Sequence, residues 1–380
     1  KNTQRCALTG VACCLALATF GPLAAGGPLN PPAGAVAPTA KPLAEVEPRT
    51  AIDATNTPGD TNSLFKITQP GSYYLTGNIT GVVGKHGIEI AASGVTLDLN
   101  GFDLVGVAGM GAFDGVSVTL TNLSNIAVIN GSVRTWGDEG VDLGTLPVSN
   151  FRVEGVLAIG NAGIGISTGN SGTVSNCSAN ANTGHGIVTV SGSTVTNSSA
   201  NANGNHGIST GSGCSISNCS AYNNIINGFS IGNGGTAANC SAAFNDGSGF
   251  GTGSACTVVF CIARANTLDG IVSASGCLIH GNVCANSGNG GDGAGIHTTG
   301  SGNRIEGNNC SNADRGIDVD FAGNIIIRNT CSGNTVDWTI AANNVVGPIL
   351  DRRAPASAAI NGFSFAGSLG TTDPNANFSY

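Results

Sequence analysis

The chain has 380 residues, 60 of them glycine, with 9% charged and 5% aromatic side chains and a formal net charge of −8. Ordinary globular domains are about 25% charged, so the composition argues for one elongated, repetitive domain rather than several compact ones. No basic stripe occurs, which argues against nucleic acid as a partner.

Residues 1–25 carry Lys1 and Arg5, an apolar run from Cys6 to Phe20, then Gly-Pro-Leu-Ala-Ala. This predicts a signal peptide. The apolar run is shorter than the ~20 residues a membrane-spanning helix needs, and Gly10 stands where a lipoprotein signal wants Leu. The expectation is an exported protein, extracellular, periplasmic or at the cell surface, with no membrane span in the mature chain. Residues 26–50, mostly Ala, Pro and Gly, read as a linker. In residues 51–83 a Pro70-Gly71 turn precedes a strand around Tyr74, read as an N-terminal cap.

From residue 84 a glycine followed by a large apolar residue recurs. Gly87-Ile88, Gly115-Val116, Gly140-Val141 and Gly165-Ile166 are spaced 28, 25 and 25. The step then settles at 21 through Gly186-Ile187, Gly207-Ile208, Gly228-Phe229, Gly249-Phe250 and Gly270-Ile271. It loosens once before Ile296 and returns to 21 at Ile317 and Trp338. A second column reads Asn176-Cys177, Asn197-Ser198, Asn218-Cys219, Asn239-Cys240 and Phe260-Cys261, and a third Val174, Val195, Ile216, Ala237, Val258 and Ile279. Self-similarity at this period means a solenoid. The lines are too rich in Gly, Asn, Ser and Thr for helices, and their short alternating runs predict two or three strands per coil. The fold expected over residues 84–346 is an all-β parallel β-helix of about 11–12 coils, with residues 347–380 as a C-terminal cap.

Each column has a physical reason. Asn beside a strand can take the left-handed backbone a sharp corner needs and can hydrogen-bond along the axis to its copies. The repeat glycine supplies a positive-φ or crowded corner. Ten cysteines lie beyond the signal peptide. Cys177, Cys219, Cys240, Cys261, Cys284, Cys310 and Cys331 are placed in one column, and Cys214, Cys256 and Cys277 in another. Export favours disulfides, but stacked neighbours have parallel Cβ vectors, a poor geometry for S–S bonds. A ladder of buried thiols is therefore preferred.

Gly94-Val-Thr-Leu-Asp-Leu-Asn-Gly-Phe-Asp-Leu, with its repeated Gly-Ile and Asn-Cys-Ser coils, resembles the secreted right-handed parallel β-helix proteins of the pectin-lyase-like superfamily over residues 60–345. The resemblance implies a right-handed helix and an extracellular or cell-wall polysaccharide as partner. It leaves the activity open, because fold does not supply function. Members include pectate lyases, polygalacturonases, alginate epimerases, tailspikes and adhesins. The polygalacturonase Asn-Thr-Asp and Asp-Asp pairs and the epimerase Asp-Pro-His-Asp are absent here. Three readings stand: a polysaccharide-interacting β-helix, a structural or adhesive rod of the cell envelope, and a polysaccharide lyase or glycoside hydrolase.

A solenoid site forms across rungs, so candidates come from columns. The residues before the repeat glycines put His86, Asp114 and Glu139 on successive rungs, about 5 Å apart. These three are the candidate catalytic residues. Lys85, Arg134, Trp136, Asp138 and Asp142 are the candidate binding residues, with Trp136 expected to stack on a sugar and Arg134 or Lys85 to hold a carboxylate. Adjacent acids could share a proton or bind a hard cation such as Ca2+; no other cofactor is indicated. A second cluster joins His297, Asp318 and Asp320, with Asp314 and Arg315 beside them, as an acid–base pair. His185 and His206 stack but lack a third metal ligand. The competing reading of both clusters is a solvated charged face.

Overall fold

The computed structural model describes residues 47–144, 149–288, 291–351 and 371–380. The expected signal peptide and almost all of the linker lie outside these residues. Every regular element among them is a strand, and every ladder between named strands is parallel.

One central coil shows how the sequence builds the rest. Ile166–Thr168 lies on a first face, Thr173–Ser175 on a second and Ser178–Asn180 on a third. Each pairs with its counterpart 21 residues on: Ile166 with Ile187, Val174 with Val195, Ala179 with Ala200. Three-residue strands of Ser, Thr and Asn have little stability alone. Stacking gives each a backbone partner above and below, and drives its alternate side chains into the core. The first faces form a 13-stranded sheet; the second and third form a 26-stranded sheet bent around the corner between them. The first sheet begins earlier than the repeat glycines indicate. Ser63–Ile67, in the segment expected to be a cap, pairs in register with His86–Ile90, setting Phe65 beside Ile88.

Ile88, Val116, Val141, Ile166, Ile187 and Ile208 stack as a fully buried column that continues through Phe229 and Phe250. Those two rings are parallel within 3°, their centroids 4.8 Å apart. Each such side chain contributes about 1.5–3 kcal/mol on burial. The glycine before each is fixed by crowding and not by a left-handed backbone. A Cβ on Gly186 would lie 2.6 Å from the Gly207 carbonyl oxygen and 2.7 Å from Asn203 Nδ2.

The asparagines divide into two columns with different work. Asn176, Asn197, Asn218 and Asn239 turn the corner at φ of 49° to 55°, as expected, but their side chains are exposed. The ladder runs instead through Asn161, Asn182, Asn203, Asn224, Asn245 and Asn266. Each of the first five donates its Nδ2 to the next Oδ1 at 2.9–3.0 Å. The amide that remains caps a backbone carbonyl, as Asn203 Nδ2 does for Ala179 at 3.0 Å. All six are buried.

The ten described cysteines are free and buried. Their columns differ from the expectation. Cys284 aligns with Ala263, and Cys310 and Cys331 follow it, so these three continue an alanine column. In the Cys177 column the next rung after Cys261 is Asn282, whose Oδ1 accepts the Cys261 N–H at 2.8 Å. Ser198 Oγ does the same for Cys177 at 3.2 Å, and Cys261 Sγ for Cys240 at 3.4 Å. Cysteine, serine and asparagine interchange because the site needs a small acceptor for the amide of the preceding rung. At the far end Asn377–Ser379 lies beside Thr330–Ser332, and Asn377 Oδ1 accepts from Asn329 Nδ2 at 3.2 Å.

Candidate functional site

The column before the repeat glycines brings His86, Asp114 and Glu139 together on three successive rungs. Ile88 pairs with Val116 and Val116 with Val141, which fixes their stacking. His86 Nδ1 accepts the Asp114 N–H at 3.0 Å and lies 3.2 Å from Asp114 Oδ2. Asp114 Oδ1 accepts the Glu139 N–H at 3.0 Å. With Ser117, Asp138 and Asp142 they line a cleft of about 390 Å³. Asp114, Asp138 and Glu139 each place an oxygen within 4.8 Å of the other two. Burial, and then the charges of Asp114 and Asp138, push the Glu139 carboxyl up to about 9. Glu139 is thus a carboxylic acid that keeps its proton at neutral pH. Such a trio can hold a proton, or exchange it for a hard cation with oxygen ligands.

Three predicted binding residues are elsewhere. Trp136 is 1% exposed and cannot stack on a sugar. Its backbone N–H is taken by Asn161 Oδ1 at 3.0 Å, so it occupies the inward-facing ladder column one rung before Asn161. Its indole fills the wide coils: a Cβ on Gly87 would lie 2.8 Å from it. Arg134 ends the strand Ser124–Arg134 on the third face and grips Asp103 Oδ2 through Nη2 at 3.1 Å. Lys85 Nζ donates to the Asp60 carbonyl. Neither cation lines the cleft.

The second cluster is more extensive than predicted. His297 stands between two carboxylates, its Nδ1 3.4 Å from Asp269 Oδ2 and its Nε2 3.0 Å from Asp320 Oδ2. Asp269 first, opposed by burial and helped by Asp320, raises the imidazole to about 9. Asp318 pairs in register with His297, but it is buried and engaged by Arg315 Nη1 at 2.7 Å. Arg315 also reaches Asp292 at 2.6 Å. Asp269, Asp292 and His297 border a second cleft of about 390 Å³. With both ring nitrogens engaged by acids, His297 is a fixed cation and not a free base. His185 and His206 stack with centroids 5.3 Å apart, and burial lowers both.

No family model matches the chain, and neither does any curated protein. Solved structures do match in shape. The A-module of the mannuronan C-5 epimerase AlgE6 of Azotobacter vinelandii is 18% identical at a TM-score of 0.56, over 79% of this chain and 87% of that one. The Dettilon tailspike protein is 17% identical at a TM-score of 0.53, over 70% of this chain and 62% of its own. The chain therefore spans less than two thirds of the tailspike. The likeness shows the fold: this chain is a parallel β-helix.

Within this β-helix five of the polar residues before the repeat glycines share one structural task. Each accepts the backbone N–H of the same position on the next rung: His86 from Asp114, Asp114 from Glu139, His206 from Asn227, Asn227 from Ser248, Asp269 from Ala294. His185 does not take part. The His206 N–H goes to Asn205 Oδ1, and His185 Nδ1 is left buried without a partner. Glu139 differs in another way, because its carboxyl meets the carboxyls of Asp138 and Asp114. Asp269 and Asp292 were not singled out from the sequence as members of the second cluster. The signal for Asp269 was its place in this same column, just before the one late coil whose step departs from 21.

Proposed function

We propose that this β-helix is exported and binds a polysaccharide along its outer surface, with the cleft of His86, Asp114, Asp138, Glu139 and Asp142 as the site of closest engagement. The protonated Glu139 carboxyl beside Asp114 carries the reading: an acid held neutral next to acids suits donation of a hydrogen bond or proton to a sugar oxygen. The shape shared with a mannuronan epimerase module supports a glycan as ligand. The same three carboxylates are the residues that would hold Ca2+, which takes oxygen ligands and would displace the Glu139 proton.

The structural-rod reading has its own support, since His86 and Asp114 both serve the amide ladder. One experiment separates them. The parent and the double variant Asp114→Asn/Glu139→Gln are run against a panel of neutral and acidic polysaccharides, with Ca2+ and with chelator. Binding, new reducing ends and ultraviolet-absorbing unsaturated product are read together. The proposal expects binding by the parent and a loss of about tenfold or more in the double variant, at a near-parental melting temperature. A double variant that binds and turns over like the parent returns the cleft to the rod reading. Reducing ends identify a hydrolase and unsaturated product a lyase.

A further inference from the structure

The outward positions of the third face are mostly Ser, Asn and Thr, as in Ser178, Asn180, Ser199 and Asn201. Midway along it this pattern breaks. Tyr222, Phe244, Phe260 and Ile262 are 50%, 42%, 58% and 48% exposed, and Arg264 is exposed beside them. Exposed aromatics in an otherwise hydroxyl- and amide-lined face are a local choice, because neighbouring coils fold with Ser and Asn at the same places.

The backbone makes the choice expensive. Phe244 has φ 57° and Phe260 φ 54°. The corner of Phe260 is held by Asn239 one rung before, and the corner of Phe244 by Asn223, both residues that tolerate the left-handed region. A bulky aromatic there is a strained outlier, and strain kept at a solvent-exposed position points to a use outside the fold. The next rung makes room for one ring: Gly281 lies under Phe260, and a Cβ there would come within 2.8 Å of it.

Two of the rings and the cation form one surface, and Phe260 lies before the strand Ile262–Arg264 of the same face, edge-on to His280 with centroids 5.4 Å apart. Tyr222 and Phe244 have centroids 5.4 Å apart, and the Arg264 guanidinium lies 5.6 Å over Phe244. Ala243 pairs in register with both Tyr222 and Arg264, so these two flank the Phe244 rung. Arg264 has no carboxylate partner among the described residues, whereas Arg49, Arg134, Arg152, Arg304, Arg315 and Arg328 all do. A guanidinium resting on a ring and free of an internal acid is placed for an external one.

We propose that Tyr222, Phe244, Phe260 and Arg264 form a binding platform for an acidic polysaccharide, separate from the cleft. Apolar ring faces of successive sugars lie on the aromatics, and a sugar carboxylate takes the Arg264 guanidinium. The Ser and Asn rungs that precede them meet the hydroxyls. This rests on the polysaccharide reading above but names a different face and a charged ligand.

The test uses the full chain with polygalacturonate as the acidic probe and hydroxyethyl cellulose as the neutral one, by affinity electrophoresis and titration calorimetry. Phe244→Asn/Phe260→Asn installs the residue that the coil immediately before each uses at that corner, Asn223 and Asn239. It should weaken polygalacturonate binding about tenfold or more while the melting temperature stays level or rises. Arg264→Gln should weaken polygalacturonate about tenfold and leave any cellulose binding unchanged. The platform is overturned by a parent that does not bind polygalacturonate, by variants that bind as the parent does, or by variants whose only change is in self-association by light scattering. If Asp114→Asn/Glu139→Gln alone loses binding, the cleft stands and the platform falls. If only the platform variants lose it, the reverse holds.

Discussion

The coils between residues 87 and 165 and those between 165 and 271 are built by the same rules with different allowances. The later coils spend 21 residues each, and their inward columns run unbroken. The earlier ones spend 25 to 28, and their interior holds an indole where the later coils place an asparagine. Their surface carries three converging carboxyls where the later coils carry Ile164 and a histidine pair. The lesson is that strict periodicity and titratable chemistry compete. A coil of minimum length has room for stacking of like on like; surplus residues let unlike groups from different rungs meet. The single late coil that loosens, between Ile271 and Ile296, repeats the pattern with Asp269 and His297.

The contrast breaks most readily at Trp136. If the wide coils depend on the indole as filler, Trp136→Ala should cost about 3–5 kcal/mol in chemical denaturation. A loss under about 1 kcal/mol would mean that their width is maintained by something else. In the narrow coils the equivalent weak point is Asn203, which accepts from Asn182 and donates to Asn224. Asn203→Ala leaves two buried amides short of a partner at about 1–3 kcal/mol each. Asn197→Ala, at an exposed corner of the same coil stack, should cost only about 1 kcal/mol. Equal costs would deny the ladder its role.

The third effect is smaller and sharpens the electrostatic side. Glu139 is raised from 4.5 to about 9 in the fold. Its contribution to stability is therefore fully present below pH 4.5 and is lost as pH rises towards 9. Glu139→Gln should flatten the fall in melting temperature across that window. His297, raised from 6.5 to about 9 and stabilising only while protonated, adds its own fall between pH 6.5 and 9 in parent and variant alike. Identical melting–pH profiles for parent and variant would place Glu139 in open solvent.

The coil period, the parallel stacking and the left-handed Asn176 corner were legible because each depends on spacing along the chain. The first cluster was legible for the same reason: His86, Asp114 and Glu139 occupy one column. What spacing cannot give is which way a residue faces once a coil departs from 21. Trp136 lies a few residues from Glu139 in sequence but just past a corner that turns it inward. Arg134 lies before that corner, on another face. The ladder column was misplaced because Asn176 and Asn182 recur with the same period, and only burial separates them. The shift of Cys284 into the alanine column followed from the same ambiguity, since Cys261 and Cys284 are 23 residues apart and the pairing partner of Cys284 is Ala263.

The asparagine ladder also governs how such a chain can change over time. From Asn161 to Asn266 every link spans 21 residues. Inserting or removing one residue within a coil would swing the wrong side chain into the ladder and expose the right one. Adding or removing a complete coil would rejoin an asparagine to an asparagine, an alanine to an alanine and an isoleucine to an isoleucine. Between Asn161 and Asn266 the gene is therefore free to lengthen or shorten by exchange of 21-codon units. Ser178-Ala-Asn-Ala-Asn and Ser199-Ala-Asn-Ala-Asn, identical at one period's distance, are what such an exchange would leave behind.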